Sequence, residues 1–475
     1  MREYAVIGGG IGGCSCAALL NASGKDVVVF EKEPYLGGCA STFERNHFAY
    51  NAGATTFCGY SEGRVVKKLF NQVGVVPHVI ESDPAIVVIQ GEKVIPRYKD
   101  IERFINVLNV HYPHPKHYEF WHLIKNITTE FYETDGYYYS NASWAQKLYS
   151  LRTFYPLLQK FWNYLFRDAK SFILHFYANI DPDFLDFLDA QILIVTQAKS
   201  DSINFLNAAL ALGYTFESNY YALGGMGKVC ESLTENIADV RLSHPITKIE
   251  KLKKGFRLST SHYEMDVKNL IMGTSHFESS VWFTSDKIKK YYRRYTSLNN
   301  HQSAFVLYMN IPNTQEFYHH YQIISKITFP YTISQSLFVS ISDPRDTELS
   351  RNNTLSITAS IHTNTSYWLG ISDTEYKERK EILSRLIEAS ICDTLSINKD
   401  TILRSFAATP KTFGRYLNRT QLGGVPMNRS NFLPFLPSND TPIDGLYQVG
   451  DTSFAAQGWP GVVMGSFNLL RLLDE

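Results

Sequence analysis

The sequence predicts an α/β fold in which a Rossmann-type dinucleotide-binding domain carries an inserted α+β domain. Three observations predict it. Residues 3–7 have the pattern of a buried strand, which leads into the glycine run 8–13 and then into a helix over 12–20. A second apolar strand, residues 26–30, ends in the acid Glu31, giving the strand, turn, helix, strand order of such a domain. The 475 residues also exceed what one hydrophobic core usually organises.

The glycine run has the spacing of a dinucleotide fingerprint, Gly8-x-Gly10-x-x-Gly13. We expect Gly8 to allow a tight turn, Gly10 to let a pyrophosphate approach the backbone, and Gly13 to let the helix pack closely on the strand. The N-terminus of that helix offers free N–H groups and about half a positive charge to phosphates. Glu31 is placed to bind ribose hydroxyls and disfavours a 2'-phosphate, so NADP is not expected. A glycine-rich turn without a ligand is the alternative.

The chain beyond Glu31 distinguishes between FAD and NAD, which share an ADP half. A second glycine pair follows at Gly37-Gly38, and a third small-residue segment at 53–55. A nicotinamide cofactor has no need of these loops, whereas the longer FAD must cross further backbone. Near the C-terminus a strand over 446–449 leads into Gly450-Asp451 and a helix from about Pro460, whose positive end suits a reduced flavin. The sequence therefore predicts FAD, with an ordinary turn at 450–451 as the alternative.

Several segments carry a resemblance to a known family. They are LGGCASTFERNHFAYNAGATTF after the ribose acid, ALGGMGKVCESL at 222–233, TPKTFGRYLNRTQLGGVPMNR at 409–429, and the C-terminal GLYQVGDTSFAAQGWPGVVMGSFNLL. Together they resemble the phytoene desaturase and carotenoid isomerase family of flavin oxidoreductases, within the flavin amine oxidase-like superfamily. The nearest branch is that of the carotenoid 3,4-desaturases. The resemblance covers essentially the whole chain and implies a glutathione reductase-like FAD-binding domain.

The resemblance also implies which residues contact FAD. Ile246 belongs to HPITKIEKL, expected as a strand whose backbone holds the adenine. The matched positions and their neighbours are Gly8, Gly10, Gly13, Glu31, Lys32, Gly37, Gly38, Cys39, Ala40, Gly53, Ala54, Thr55, Ile246, Gly450, Asp451, Gly458 and Val462.

Three positions depart from the family pattern. Many members have an arginine directly after the glycine pair, where this chain has Cys39, so a cation that pairs with the pyrophosphate is expected to be absent there. Asn51 stands where members often have aspartate, and Ala455-Ala456 replaces a common Pro-Gly. These changes keep the FAD prediction but weaken any inference about the substrate.

A site assembled from residues near 10, 40, 250 and 450 requires a discontinuous domain. We expect the FAD-binding domain over 1–80, 222–290 and 425–475, and the substrate domain over 81–221 and 291–424. Alternating patterns at 303–311, 337–342 and 354–362 predict strands of a mixed sheet that floors a pocket.

An amphipathic helical stretch is expected over 147–177, kinked or restarted at Pro156. On a helical wheel one face collects the apolar residues Leu151, Phe154, Leu158, Phe161, Trp162, Leu165, Phe172 and Phe176, and the other collects Arg152, Lys160, Arg167 and Lys170. An ordinary core helix and a helix resting on anionic lipid both fit this pattern.

Composition excludes several classes of protein. The 46 basic and 46 acidic residues balance, so nucleic acid is not an expected partner. No apolar run approaches the roughly 18 residues that cross a bilayer, so we expect a cytoplasmic protein, with peripheral contact at the inner face of the membrane left open. The histidines at 111, 114, 117 and 122 lack the companions of a metal site, and no metal is expected.

The expected function is that of an FAD-dependent oxidoreductase acting on a lipophilic polyene or isoprenoid. The leading hypothesis is desaturation of C–C bonds by hydride transfer to flavin, with a quinone or oxygen as the electron acceptor. A flavin-dependent cis-trans isomerase of a carotenoid, an amine oxidase with a soluble substrate, and a prenyl-binding escort protein without FAD are the alternatives. The pattern identifies neither the catalytic acid or base nor the oligomeric state.

Overall fold

The computed structural model describes residues 1–134, 136–141, 143–426 and 436–474. The strands, in chain order, are β1 Arg2–Ile7, β2 Val27–Phe30, β3 Thr42–Arg45, β4 Phe48–Asn51, β5 Phe57–Cys58, β6 Val79–Ser82, β7 Ile86–Gln90, β8 Lys93–Arg97, β9 Asn219–Ala222, β10 Val240–Arg241, β11 Lys248–Lys251, β12 Phe256–Ser259, β13 Glu264–Met272, β14 Gln302–Pro312, β15 His320–Ile324, β16 Ser336–Ile341, β17 Thr354–Asn364, β18 Arg404–Ala408 and β19 Leu446–Gln448.

The α-helices lie between groups of these strands. They are α1 Ile11–Ala22, α2 Val65–Val73, α3 Ile101–His111, α4 His117–Tyr132, α5 Trp144–Leu165, α6 Ala169–Tyr177, α7 Pro182–Thr196, α8 Phe205–Gly213, α9 Met226–Thr234, α10 Asp286–Arg293, α11 Asp373–Leu395, α12 Pro410–Leu417 and α13 Gly458–Asp474. Helices α3 to α8 follow one another without an intervening strand and form a helical lobe with its own aromatic-rich core.

The first sheet brings together the start, the middle and the end of the chain. Its order is β10-β2-β1-β13-β12-β11, with β19 beside β13. Strand β1 runs parallel to β2 and β13, and β13 runs parallel to β19. The four residues of β2 are all buried, as expected for a parallel strand covered on both faces. Because these strands are parallel, the loops at their carboxyl ends meet at one edge, where such folds bind ligands.

The second sheet has the order β18-β14-β17-β16-β15-β7-β8. Strands β15 and β7 are parallel and the other pairs are antiparallel, so the sheet is mixed, as the sequence predicts. Helix α11 covers one face with Leu383, Ile387 and Ile391, which belong to the same buried cluster as the strand residues beneath them. The opposite face is left to the cavity described below.

The helical stretch differs from the prediction at Pro156. Helix α5 runs unbroken through Pro156, and the chain breaks only after Leu165, before Asp168 caps α6 through the Ser171 N–H. The apolar face is also split, because Phe161 and Leu165 are buried in the lobe while Leu151 and Trp162 are exposed. A helical wheel could not separate the buried from the exposed apolar residues, because only part of the apolar face of α5 packs on the lobe.

The bounds proposed for the two domains remain a prediction. Across the described ranges, every helix is too short or too polar to cross a bilayer.

Candidate functional site

The glycine turn lies at the carboxyl edge of the first sheet, between β1 and α1. Gly8 has φ +101° and donates its N–H to the Phe30 carbonyl at 2.8 Å, which ties the turn to β2. A side-chain carbon on Gly13 would lie 1.9 Å from the Gly8 carbonyl oxygen. Gly13 is therefore fixed by helix packing, as the fingerprint predicts, and it faces away from the cavity.

Glu31 stands at the end of β2 with its carboxylate held by backbone donors. Oε2 accepts the N–H of Gly9 at 2.7 Å, and Oε1 accepts the N–H of Glu33 at 2.9 Å. Burial raises the pKa of the Glu31 carboxyl, and these two N–H groups partly oppose that shift. Each oxygen keeps a lone pair on the cavity side, which is what two ribose hydroxyls require.

The second glycine loop folds back onto the first. Gly37 has φ +112° and donates its N–H to the Gly9 carbonyl at 2.7 Å. The third loop is joined to the second because Ala54 donates its N–H to the Cys39 carbonyl at 3.1 Å. Thr55 is anchored to the second sheet through Ser340, with 2.6 Å between the hydroxyl oxygens.

The C-terminal motif completes the cradle. A side-chain carbon on Gly12 would lie 2.9 Å from the Gly450 Cα, so the tail loop passes directly over the start of α1. Gly450 has φ +115°, and a side-chain carbon there would find no atom within 4 Å. Helix α13 begins at Gly458, two residues before the predicted start.

These loops border one cavity of about 1260 Å³. It is lined by every residue predicted to contact FAD except Gly13. Ile246 lines it from the loop before β11 rather than from a strand. Lys32 also lines it, but its ammonium group contacts the Glu33 carboxylate and the Tyr416 carbonyl. The bare backbone at Gly10 and Gly450, where a side chain would project into open space, fits a long dinucleotide lying across both loops.

The sequence pattern did not identify Arg419, which enters the cavity wall from the segment after α12. Its Nη1 lies 3.0 Å and 3.1 Å from the two Asp451 carboxylate oxygens. Burial by itself would lower the pKa of the Arg419 guanidinium, but the negative charge of Asp451 raises it above the ordinary value. The resemblance covers the segment around Arg419 but gave no sign that it would approach Asp451.

The cavity face of the second sheet carries a histidine that the sequence analysis did not single out. On β17 the side chains of Thr358, Ser360 and His362 alternate onto one face, and Thr358 Oγ1 donates to the Asn51 carbonyl at 3.3 Å. Ser360 and His362 line the cavity, with His362 about 13 Å from Thr358 along the strand. Burial lowers the pKa of His362 to about 4, so its imidazole is neutral at physiological pH.

The helical lobe closes the cavity with mainly apolar side chains from α5, α7 and α8. Two carboxamides interrupt this wall, Gln197 after α7 and Asn207 on α8. Both are more than nine-tenths buried. Within the described residues, Gln197 Oε1 and Asn207 Nδ2 have no hydrogen-bond partner. These atoms are therefore available to polar groups of a ligand.

Helix α5 exposes a stripe of large apolar side chains at the cavity mouth. We call this set the α5 stripe; it consists of Trp144, Leu148, Leu151, Tyr155, Trp162 and Phe166. Its spacing of three, four or seven residues places the members on one helical face. Trp144 and Leu151 both line the cavity and face solvent, so the stripe adjoins the entrance.

The histidine-rich segment plays a structural part. His117 is fully buried, and its ring nitrogens lie 3.0 Å from the Tyr177 hydroxyl and 2.6 Å from the Tyr112 carbonyl. Burial lowers the pKa of His117 to about 4. Throughout the part of the chain that the structure describes, no three potential metal ligands cluster.

Comparison with known proteins agrees with this geometry. A family model described as an NAD(P)-binding Rossmann-like domain matches residues 6–73. The chain is similar to the chloroplastic prolycopene isomerase of Daucus carota, with 26% identity over 499 residues, 96% of this chain and 78% of that protein. It is similar to the human all-trans-retinol 13,14-reductase over 117 residues only, 23% of this chain, at 29% identity.

Solved structures extend the fold comparison to the whole chain. An oxidoreductase from Methanosarcina mazei superposes with a TM-score of 0.63 at 17% identity, covering 99% of this chain and 100% of the other. Putrescine oxidase bound to putrescine gives 0.62 at 13% identity, covering 100% and 99%. The predicted α/β fold with a Rossmann-type dinucleotide-binding domain is confirmed. The resemblance to the carotenoid isomerase family is confirmed by the relatives that span the chain.

Proposed function

We propose that this chain is an FAD-dependent oxidoreductase acting on a lipophilic, carotenoid-type polyene. One observation carries the proposal: the dinucleotide loops and an apolar helical wall border the same cavity of about 1260 Å³. The leucine, phenylalanine and tyrosine side chains of this wall suit a long apolar substrate. The prolycopene isomerases, similar to this chain over about 95% of its length, support the same class of substrate.

When bound, FAD supplies a centre that accepts or donates a hydride, which no side chain can do. The chain supplies binding and orientation. The N-terminus of α1 attracts the phosphates, and Glu31 accepts hydrogen bonds from ribose hydroxyls. The N-terminus of α13 provides a second positive end in the cavity wall.

The apolar wall of the cavity would give the substrate a water-poor environment, and the sheet face would provide a neutral base. Phe154, Leu157 and Leu158 of α5 line the cavity, and such apolar side chains would exclude water from the reacting carbons. Desaturation takes a hydride from one carbon and a proton from the adjacent carbon, and the neutral imidazole of His362 has a lone pair that would accept this proton. A quinone or oxygen is the proposed electron acceptor for this desaturation.

Isomerisation of a polyene double bond is the second candidate reaction, because the relatives that span the chain are prolycopene isomerases. It involves no net oxidation and leaves no proton for a base to remove. The two reactions therefore differ in their need for an oxidant and in their need for His362.

An anaerobic assay separates them. The purified holoenzyme would be mixed with liposomes containing a polyene, once with oxidised and once with pre-reduced FAD, and the products analysed by chromatography. We expect a product with an added double bond, and loss of the oxidised flavin absorbance, only with oxidised FAD. A rearranged product formed equally well by the reduced enzyme would establish isomerisation instead.

The α5 stripe is proposed to rest on a lipid surface. Its six large apolar side chains are exposed, and two of them, Trp144 and Leu151, line the cavity. Neighbouring Arg152 and Lys147 are also exposed, a combination that suits anionic lipid. Docking in this orientation would let a polyene pass from the bilayer into the cavity without crossing water. Such a contact would supply the substrate and would not require a membrane-spanning helix.

A further inference from the structure

The guanidinium of Arg419 lies at the tail loop of the dinucleotide site. It pairs with Asp451, which follows the Gly450 that packs over the start of α1. The positive charge of Arg419 also lowers the pKa of Cys39, although burial leaves that thiol with a raised pKa. Arg419 is thus in contact with the tail loop and close enough to the second glycine loop for its charge to act on Cys39.

The cavity needs a cation at this place. The acidic residues Glu31, Glu33, Glu278 and Asp451 line it, and a bound FAD would add the two negative charges of its diphosphate. Among the described cavity-lining residues, the lysines are Lys32, Lys68 and Lys147, and the one arginine is Arg419. Lys68 and Lys147 are exposed and Lys32 contacts Glu33. Arg419 is also paired, with Asp451, but its side chain is 12% exposed against 22% for Lys32, so it is the least exposed cation of this set.

Its orientation is fixed by partners other than a ligand. Nε donates to the Gln421 carbonyl at 2.8 Å, and Nη2 lies 3.3 Å from Gln421 Oε1. Gln421 is itself buried and donates to the Gly424 carbonyl. With Nη1 on both Asp451 oxygens, one of the five N–H groups of the guanidinium has no partner among the described residues.

We propose that Arg419 is the positioning residue that supplies the positive charge for FAD binding, in place of a cation at position 39. It is delivered from the segment after α12 and held over the glycine loops by Gln421 and Asp451. This inference rests on the proposed FAD cofactor. It assigns to Arg419 a role in affinity for FAD, which is separate from the choice of substrate.

The test moves the positive charge from position 419 to position 39. Arg419→Gln removes it, and the double variant Cys39→Arg/Arg419→Gln restores it on the second glycine loop. Arg415→Gln is the matched control, because Arg415 is an exposed arginine on α12. The FAD dissociation constant of each apoprotein would be measured by titration with free FAD, together with the melting temperature before FAD is added.

We expect Arg419→Gln to weaken FAD binding at least about tenfold, the scale of a lost charge-assisted contact, with Arg415→Gln unchanged. The double variant should regain most of the affinity. Wild-type affinity in Arg419→Gln, or failure of the double variant to recover it, would overturn the inference. If Arg419→Gln does not fold, Arg419→Lys, which keeps the charge, must bind FAD within a few-fold of wild type. Absence of FAD binding by the wild-type chain would instead refute the proposed function.

Discussion

The side-chain amide of Gln197 donates from Nε2 to Oε1 of Gln457 at 3.1 Å. The same nitrogen donates to the Leu422 carbonyl at 2.9 Å, so both of its hydrogens are used. Gln457 in turn donates from Nε2 to the Val195 carbonyl, which fixes the orientation of both amides. This bond joins the end of α7 in the helical lobe to the tail loop of the dinucleotide site. The remaining Gln197 atom, Oε1, is a buried acceptor on the cavity wall.

Gly423 tests how tightly that junction is packed. It has φ +89°, and a side-chain carbon there would lie 1.2 Å from Gln197 Nε2. Gly370 is the matched control, because it has φ +75° and no atom within 4 Å of such a carbon. We expect Gly370→Ala to cost about 1–2 kcal/mol in free energy of unfolding from backbone strain alone, and Gly423→Ala to cost a further 1–3 kcal/mol or so. Denaturant unfolding would measure both, and equal losses would show that the junction can open.

Glu31 is predicted to determine affinity for the cofactor. In Glu31→Gln one carboxylate oxygen becomes an NH2 group. That group cannot accept the hydrogen bond that the oxygen accepted from the N–H of Gly9 or of Glu33, and it repels this N–H. We expect the FAD dissociation constant to rise about tenfold or more, while the order of preference among polyene substrates stays the same. The exposed Glu62→Gln is the control. A change of substrate preference without a change in FAD affinity would contradict this assignment.

His362 is predicted to act in turnover rather than in cofactor binding. His362→Phe keeps a buried ring in the cavity but removes the base, and we expect desaturation to fall about 10²-fold or more. FAD affinity should not change, because His362 lies on the sheet floor well beyond the loop at residues 51–55. Product formation at the wild-type rate would exclude His362 as the proton acceptor. A rearranged product formed at the wild-type rate would favour isomerisation, which needs no base.

Two buried histidines predict how stability depends on pH. Burial lowers the pKa of His276 and of His320 to about 3, whereas an unfolded histidine has a pKa near 6.5. Between these values the unfolded chain binds more protons, so stability is lost as the pH falls below about 6.5. We expect a lower melting temperature at pH 5.5 than at pH 7.5, and a smaller drop in His320→Gln. The exposed His78→Gln should keep the wild-type drop; an equal drop in all three proteins would rule out His320 as a cause.

The α5 stripe predicts binding to lipid vesicles. Trp144 and Trp162 are 79% and 59% exposed, and replacing both by serine removes the largest apolar surfaces of the stripe. We expect vesicle binding in a sedimentation assay to weaken about tenfold or more, with the melting temperature unchanged. Val281→Ser, at a position 73% exposed near the first sheet, serves as the control. Undiminished binding by the double variant would show that another surface meets the lipid.

Local patterns predicted the parts of the site that lie close together in sequence. The turn at 8–13, the acid at Glu31 and the glycine pair at 37–38 follow one another along the chain, so spacing alone places them. The strands of the second sheet were found by alternation, at 302–312, 336–341 and 354–364 in the structure. In each case the signal was a periodicity or a backbone requirement.

The rest of the site depends on packing between distant segments. Arg419 approaches Asp451 only because the chain after α12 crosses the tail loop, and no spacing encodes that contact. Gln197 is a second example, because its hydrogen-bond partners are more than 200 residues away in the sequence. The restart expected at Pro156 is wrong, because helix α5 continues through that residue despite the hydrogen bond that proline removes.

The most direct test of the proposed function is the conversion of a polyene in liposomes by the purified protein with and without bound FAD. The product would be followed by chromatography, and putrescine would serve as the soluble alternative substrate in parallel. The proposal predicts that the FAD-bound protein converts the polyene, that the apoprotein does not, and that neither oxidises putrescine. Oxidation of putrescine with the polyene left unchanged, or a purified protein that cannot bind FAD, would contradict it.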